Sequence, residues 1–218
     1  MSLELEQIVG PTKRTDGLVD GPLRVAGSGE AVVSDAHGRF YEAVSRGRVY
    51  SAAMQSGGSL GTALTASAVT LTLYNPLNSG VNLALLEVTA NITTMLAAPG
   101  AGSTSTSALV LAANVNPLAA APSSLTLATV RNNLLGGAAG VGQAYTVATL
   151  PAAPVVLRSL FNFSYTELSA ANAAQFGGAY IDLTDGKVIL APNTAVTLQG
   201  IGAAISGIVS FIWEEVPI

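Results

Sequence analysis

The sequence predicts an all-β fold, an antiparallel β-sandwich or jelly roll with an extended N-terminal arm. Three observations carry this. Apolar residues recur with period two in short runs. Those runs are cut by Gly-, Pro-, Asn- and Ser-rich turns. β-branched and aromatic residues concentrate in the runs, and few stretches have helical spacing. With 218 residues, the chain is long enough for one substantial domain.

Charge divides the chain. Residues 1–50 hold 13 of the 22 charged side chains. We therefore read 1–50 as an extended, polar, Gly-rich arm and 51–218 as an apolar sandwich body. In the arm, Asp35–Gly38 is turn-like, and Arg39–Ser45 (RFYEAVS) is aromatic and β-branched enough for a strand.

The body opens on Ser67–Tyr74. There Val69, Leu71 and Leu73 face one way and Thr70 and Thr72 the other, which predicts a strand with a single face on the core. Asn75–Gly80 (NPLNSG) follows as a turn, because proline fixes φ while Asn and Gly tolerate positive φ. Val81, Leu83 and Leu85 alternate, and the pattern then slips and resumes as Leu86, Val88, Ala90 and Ile92. A one-residue slip predicts a β-bulge at Leu86. The two runs around the turn read as a long strand pair. One face would build the core, and the other, lined with Thr, Ser, Asn and Ala, is flat enough to meet a neighbour.

Further strands are expected at Ala108–Ala112, Leu125–Val130, Ala144–Leu150, Val155–Tyr165, Ala179–Leu183, Lys187–Leu190, Ala195–Gln199 and Ile205–Glu214. Asp185-Gly186 predicts a type I′ hairpin between two of them. Ala97–Ser107, Asn114–Ser124 and Leu134–Gly142 read as loops. Thr166–Phe176 is the one expected helix, capped by Thr166. The run Ala195–Trp213 is uncharged and long enough to span a membrane. Its interior Thr, Gln and Ser and its acidic flank Glu214–Glu215 favour two buried strands joined near Gly200–Gly202, with Val209, Phe211 and Trp213 at strand spacing.

The chemistry the residues exclude is as informative. The chain has no cysteine, so it has no disulfide framework and no thiolate metal site. Its single histidine, His37, lies in SDAHG beside Ser34 and Asp35. Neighbours in one turn do not form a triad with an oxyanion site, so a polar turn is expected there. Asp182, Asp185 and Asn193 fit no calcium-loop spacing. The glycine cluster Gly136–Gly142 fits neither a dinucleotide nor a phosphate-loop pattern and reads as a surface loop. Glu214 and Glu215 point to opposite faces of a strand and cannot act on one bond, so a solvated strand end is expected. No catalytic, metal or cofactor residue is nominated, and the chain is expected not to be an enzyme. The net charge of −4 without a basic cluster argues against a nucleic-acid partner. The N-terminal MSLELEQIVGPTKRTDG does not read as a secretory signal, and no membrane partner is expected.

Hydrophobic residues make up 50% of the chain and charged residues only 10%, against about a quarter in ordinary soluble domains. Such a surface is expected to be covered by other protein. The Thr/Ala/Ser/Gly-rich body, the LYNPLNSG turn (Leu73–Gly80) and the terminal SFIWEEVPI (Ser210–Ile218) resemble virion structural proteins of tailed bacteriophages, most closely capsid decoration (cement) proteins. The resemblance implies a β-sandwich homo-oligomer, usually a trimer, made in the host cytoplasm. It would sit on the virion surface, bound to the major capsid protein and bracing the lattice. It carries over no catalytic residue. Arg24, Arg39, Arg46 and Arg48 could then meet an acidic capsid surface, although ordinary solvated charge is the simpler reading. A capsid-forming jelly roll and a receptor- or carbohydrate-binding fibre head are the alternatives. The fibre head would use Phe161, Phe163 and Tyr165 as its aromatic platform.

Overall fold

A computed structural model of the chain describes residues 38–68, 70–95, 104–114, 120–166 and 178–218. Chain contacts divide the molecule into Met1–Arg39 and Phe40–Ile218, and every element below lies in the second unit. Two antiparallel sheets account for nearly all of it, as the period-two patterning predicts. The first sheet runs in the order β11 (Gly178–Leu190), β5 (Val81–Met95), β13 (Ile205–Pro217), β1 (Val49–Ala53), β8 (Val130–Asn132), with β2 (Gly58–Ser59) beside β13. The second runs β10 (Val155–Thr166), β6 (Thr104–Ala113), β12 (Thr194–Gly202), β4 (Thr72–Asn75), β9 (Gln143–Thr149), β3 (Ser67–Ala68), with β7 (Ser123–Leu127) beside β9. The core between the sheets holds Leu71, Leu73, Leu83, Leu85, Leu109, Leu111, Val196, Leu198, Val209, Phe211 and Trp213. Burial of this aliphatic and aromatic set is the main force holding the sandwich together.

Several expectations hold in detail. Ile205–Glu214 is a strand, with Val209, Phe211 and Trp213 fully buried, and it meets β12 across a short joint just past Gly200–Gly202. Asn78 and Gly80 take positive φ in the 75–80 turn. The bulge also falls where the pattern slips. On β13, Ile212 faces Glu87 and the next residue, Trp213, faces Leu85, leaving Leu86 as the extra residue. Leu83, Leu85, Leu86, Val88, Ala90 and Ile92 are all buried, so the slip keeps each apolar residue inside.

Other expectations are corrected. Arg39–Ser45 is not a strand, since Tyr41–Ser45 forms one short helical turn, α1. Bonds between neighbours in sequence, such as Val44 N–H to the Phe40 carbonyl, satisfy its backbone without a partner strand. Val49 and Tyr50, at the end of the proposed arm, belong to β1 and are buried. The runs around NPLNSG are not a pair. β4 lies in the second sheet and β5 in the first, so the turn carries the chain from one sheet to the other. Asn75 pins that crossing, its buried Nδ2 donating to the carbonyls of Val81 and Leu190 at 2.8 Å each. Nor is β4 half-exposed. Thr70 and Thr72 are as buried as Leu71 and Leu73, because the far side of the second sheet carries its own small core of Tyr74, Tyr145, Ala148, Leu150 and Ala195.

Asp185-Gly186 makes no hairpin. Both residues have positive φ, 50° and 75°, yet β11 continues through them. Leu183 faces Glu87 and Val188 faces Leu85, so Thr184 to Lys187 bulge out opposite Leu86. Thr184 anchors that bulge by donating from Oγ1 to the Leu85 carbonyl at 2.7 Å. Strand β6 begins at Thr104 and β7 at Ser123, inside stretches read as loops. The expected helix at 166–176 lies, past Thr166, outside the described residues.

Candidate functional site

Two places on the body combine unusual surface with defined geometry. The first is the outer face of the first sheet. Directly opposed residues in an antiparallel ladder share a face. The register therefore sets Ala179, Asn91 and Ile208 in one row and Ile181, Thr89, Ser210 and Ala53 in the next. A third row holds Leu183, Glu87, Ile212, Ser51 and Arg131. Val88, Ala90, Val209 and Phe211, one residue on, point into the core. Three aliphatic side chains on β11 stand in solvent: Ile181, Leu183 and Ile189 are 61%, 58% and 60% exposed. Ile208 and Ile212 on β13 share the face, and between these aliphatics stand small hydroxyl, amide and methyl side chains, with Thr89 and Ser210 hydrogen-bonded across strands through their hydroxyls. Glu87 and Arg131 are the charges of the third row, three strands apart, and neither joins an ion pair among the described residues; Glu214 stands in the next row beside Ala84 and Ile189. A sheet face with several exposed aliphatics and few charges suits protein contact rather than chemistry.

The second place is a buried carboxylate beneath the glycine loop. Glu215 on β13 is buried, and its Oε1 accepts the backbone N–H groups of Val141 and Gly142 at 2.8 Å each. Asn132 holds the other end of the loop. Its Nδ2 donates to the carbonyls of Gly47 and Ala138, and its Oδ1 accepts from the Leu134 N–H. Tyr50 stacks on Trp213 beside them, ring centres 6.1 Å apart. Burial raises the Tyr50 phenol above its ordinary 10.0, and the negative charge of Glu215 raises it further. The loop needs glycine here. A Cβ at Gly140 would lie 2.6 Å from Glu215 Oε1 and 2.8 Å from Tyr50 Cε1, and one at Gly142 would lie 3.0 Å from Trp213 Nε1. The solvated strand end expected at Glu214–Glu215 is thus half wrong, since only Glu214 is partly open to solvent. The glycine cluster is fastened to β13 rather than free. No signal in the sequence marks this pairing, because its partners are backbone amides far along the chain.

The residues weighed for chemistry do not converge. Arg24, Ser34, Asp35 and His37 lie outside the described residues. Arg46 pairs with Glu42 on α1, and Arg158 pairs with Asp182 at 2.8 Å, tying β10 to β11 across the sandwich edge. Asp182 is thereby engaged, and no cluster of three His, Asp or Glu side chains suited to a metal occurs among the described residues. Phe161 packs on Tyr180 at 5.3 Å, so it belongs to the edge of the core; the side chains of Phe163 and Tyr165 lie outside the described residues. A groove of about 290 Å³ between Ala53–Gly58 and Leu127–Thr129 has no charged lining. No described helix is long and apolar enough to cross a membrane. No protein-family model, curated protein or solved structure matches the chain.

Proposed function

We propose that the chain is a non-enzymatic structural protein of a tailed-phage virion. In this reading it self-associates, as a trimer, and seats on the lattice of the major capsid protein. The observation that carries the reading is the nesting of the strands. β1 pairs with β13, β4 with β12, β5 with β11 and β6 with β10. First meets last, second meets seventh, third meets sixth and fourth meets fifth. One long hairpin of eight strands pairs this way. With β13 also beside β5 and β12 beside β6, this order supports reading the sandwich as a jelly roll, an architecture that viral capsid domains share with lectins. Strands β7 to β9 are then an insertion between the fourth and fifth strands, extending both sheets. An exposed sheet face with almost no charge, in a chain only 10% charged, supports assembly over a solitary existence.

Native mass measurement of the purified chain, followed by co-sedimentation with empty heads of the phage that encodes it, tests this. The expected mass is three times the 21.9 kDa of one chain, with the protein pelleting alongside the heads. A monodisperse monomer that stays in the supernatant removes the proposal. The same nesting also favours a second reading, a shell-forming jelly roll. Closed particles formed by the chain alone, seen by negative-stain microscopy, would select it.

A further inference from the structure

We infer that the bulge at Thr184–Lys187 guards the edge of the first sheet, keeping β11 from pairing with a strand of another copy. The inference stands apart from the proposal above, because it concerns a contact that the fold prevents, in a monomer and an oligomer alike. Among the described residues β11 ends the first sheet, with β5 as its one ladder neighbour. Its outer edge therefore carries unpaired backbone N–H and C=O groups, the template on which a further strand adds. The side chains favour such pairing too. Ile181, Leu183 and Ile189 stand in solvent on one face, and aliphatic residues at period two suit a pleated, paired surface. The strands that end the sheets elsewhere are shorter or themselves irregular. β11 has 13 residues, β8 three and β3 two, while β10 has 12 with two register shifts against β6.

The bulge is larger than its neighbour requires. The slip of β5 at Leu86 accounts for where it falls but not for its size. On the other side of β5, β13 passes the same slip with consecutive residues, Ile212 facing Glu87 and Trp213 facing Leu85. β11 places four residues, Thr184 to Lys187, between its partners of those same two positions. An even number of added residues leaves the alternation unchanged, so they are not needed to keep Leu183 outward and Val188 against the core. Two of the four hold positive φ, a conformation unfavourable for Asp185 with its Cβ. The buried Thr184 fixes the excursion through its bond to the Leu85 carbonyl. The effect is interruption. The edge is left as Gly178–Leu183 and Val188–Leu190, two runs that one straight strand cannot pair with together. Bulges of this kind are a means by which sheet proteins resist edge-to-edge association.

Deleting Thr184–Lys187 tests the guard. The deletion joins Leu183 to Val188, the arrangement β13 already uses, and removes one acid and one base, so the net charge stays −4. The variant should fold, by far-UV circular dichroism and Trp213 emission, and associate into species of about twice the wild-type mass or more, read by native mass across concentration. Hydrogen exchange should find β11 amides newly protected in those species. Asp185→Asn with Lys187→Gln removes both charges, keeps the bulge and should retain the wild-type mass. Ile181→Lys added to the deletion should return the wild-type mass, because a lysine on an edge opposes pairing. A folded deletion variant with the wild-type mass, or one that associates without new protection on β11, overturns the inference. Association of the charge-neutral variant assigns the guarding to the two charges and overturns it too. Where the four-residue deletion does not fold, removing Asp185-Gly186 alone keeps Thr184 and the alternation, and the same readouts decide. In the wild type, the β11 amides that face away from β5 should exchange fast at every concentration; protection there means that a strand already pairs with this edge, and the inference falls.

Discussion

Glu215 shows how much a single side chain fixes. A carboxylate leaves water at a large cost unless hydrogen bonds replace its hydration, and the two amides of Val141 and Gly142 do so. Glu215→Ala deletes the acceptor and strands both donors. It should lower unfolding free energy by about 2–4 kcal/mol, seen as a lower urea midpoint with an unchanged slope. Glu215→Gln keeps one carbonyl oxygen and should cost less. The neighbouring Tyr50 gives a pH signature. Its folded phenol titrates above 10.0, mainly through burial and then through Glu215. Above pH 10 the unfolded chain releases the Tyr50 proton while the folded chain still holds it. Stability is therefore complete below pH 10 and falls as pH rises toward the folded value. Urea midpoints at pH 9 and pH 11 should differ, and Tyr50→Phe should reduce the difference. In Glu215→Gln the tyrosinate absorbance should shift only part of the way back, because burial is the larger cause.

Elements were legible wherever side chains alone decided their placement. The Leu86 slip is the clearest case, because a period-two pattern that changes phase leaves one residue without a partner on any regular neighbour. Both neighbouring strands register that slip at the same position. Deleting Leu86 would make Leu85 and Glu87 consecutive, so that Leu83, Leu85, Val88, Ala90 and Ile92 share the core face in unbroken alternation opposite β13, without a bulge. The deletion variant should therefore still fold, losing the burial of one leucine, as should Leu86→Ala, which keeps the bulge and loses about 2–4 kcal/mol; urea midpoints read both. Asp185-Gly186 misled for the complementary reason. Positive φ at two successive residues is a local property, and whether the chain then reverses or bulges depends on what its flanks pair with. Here both flanks hold β5, so the pair absorbs a slip instead of turning a corner. The threonine face of β4 misled similarly. Thr72 and Thr197 bond each other through their hydroxyls in a buried layer, and Gln199 exchanges two bonds with the backbone of Thr65, so most of the polarity there is satisfied inside the protein, although the buried Thr70 hydroxyl finds no partner among the described residues. The outer-face site was legible only as a deficit of charge. Which strands share that face depends on pairings that no local pattern encodes.

At the scale of the molecule, the nested order makes the fold depend on its last strand. β13 pairs with β1, β5 and β2, and sends Val209, Phe211 and Trp213 into the core. Among the described residues β1 has β8 and β13 as its ladder neighbours, so the start of the body stays without its main partner until β13 arrives. Contacts this distant in sequence charge their loop-closure entropy before they return any burial, which places folding in the slow range for all-β domains, about milliseconds to seconds or longer. Trp213 makes the claim measurable. It is the sole tryptophan, fully buried, stacked on Tyr50 of β1 and facing Leu85 of β5, so its fluorescence reports the docking of β13 into the core. On dilution from urea, the native Trp213 emission should arrive with the slowest major phase of the far-UV circular dichroism change. A chain ending before Ile205 should show no cooperative unfolding transition. Native emission appearing in a fast phase, ahead of sheet formation, would mean that β13 docks early, and the nested order would then describe the final pairing but not what limits its formation.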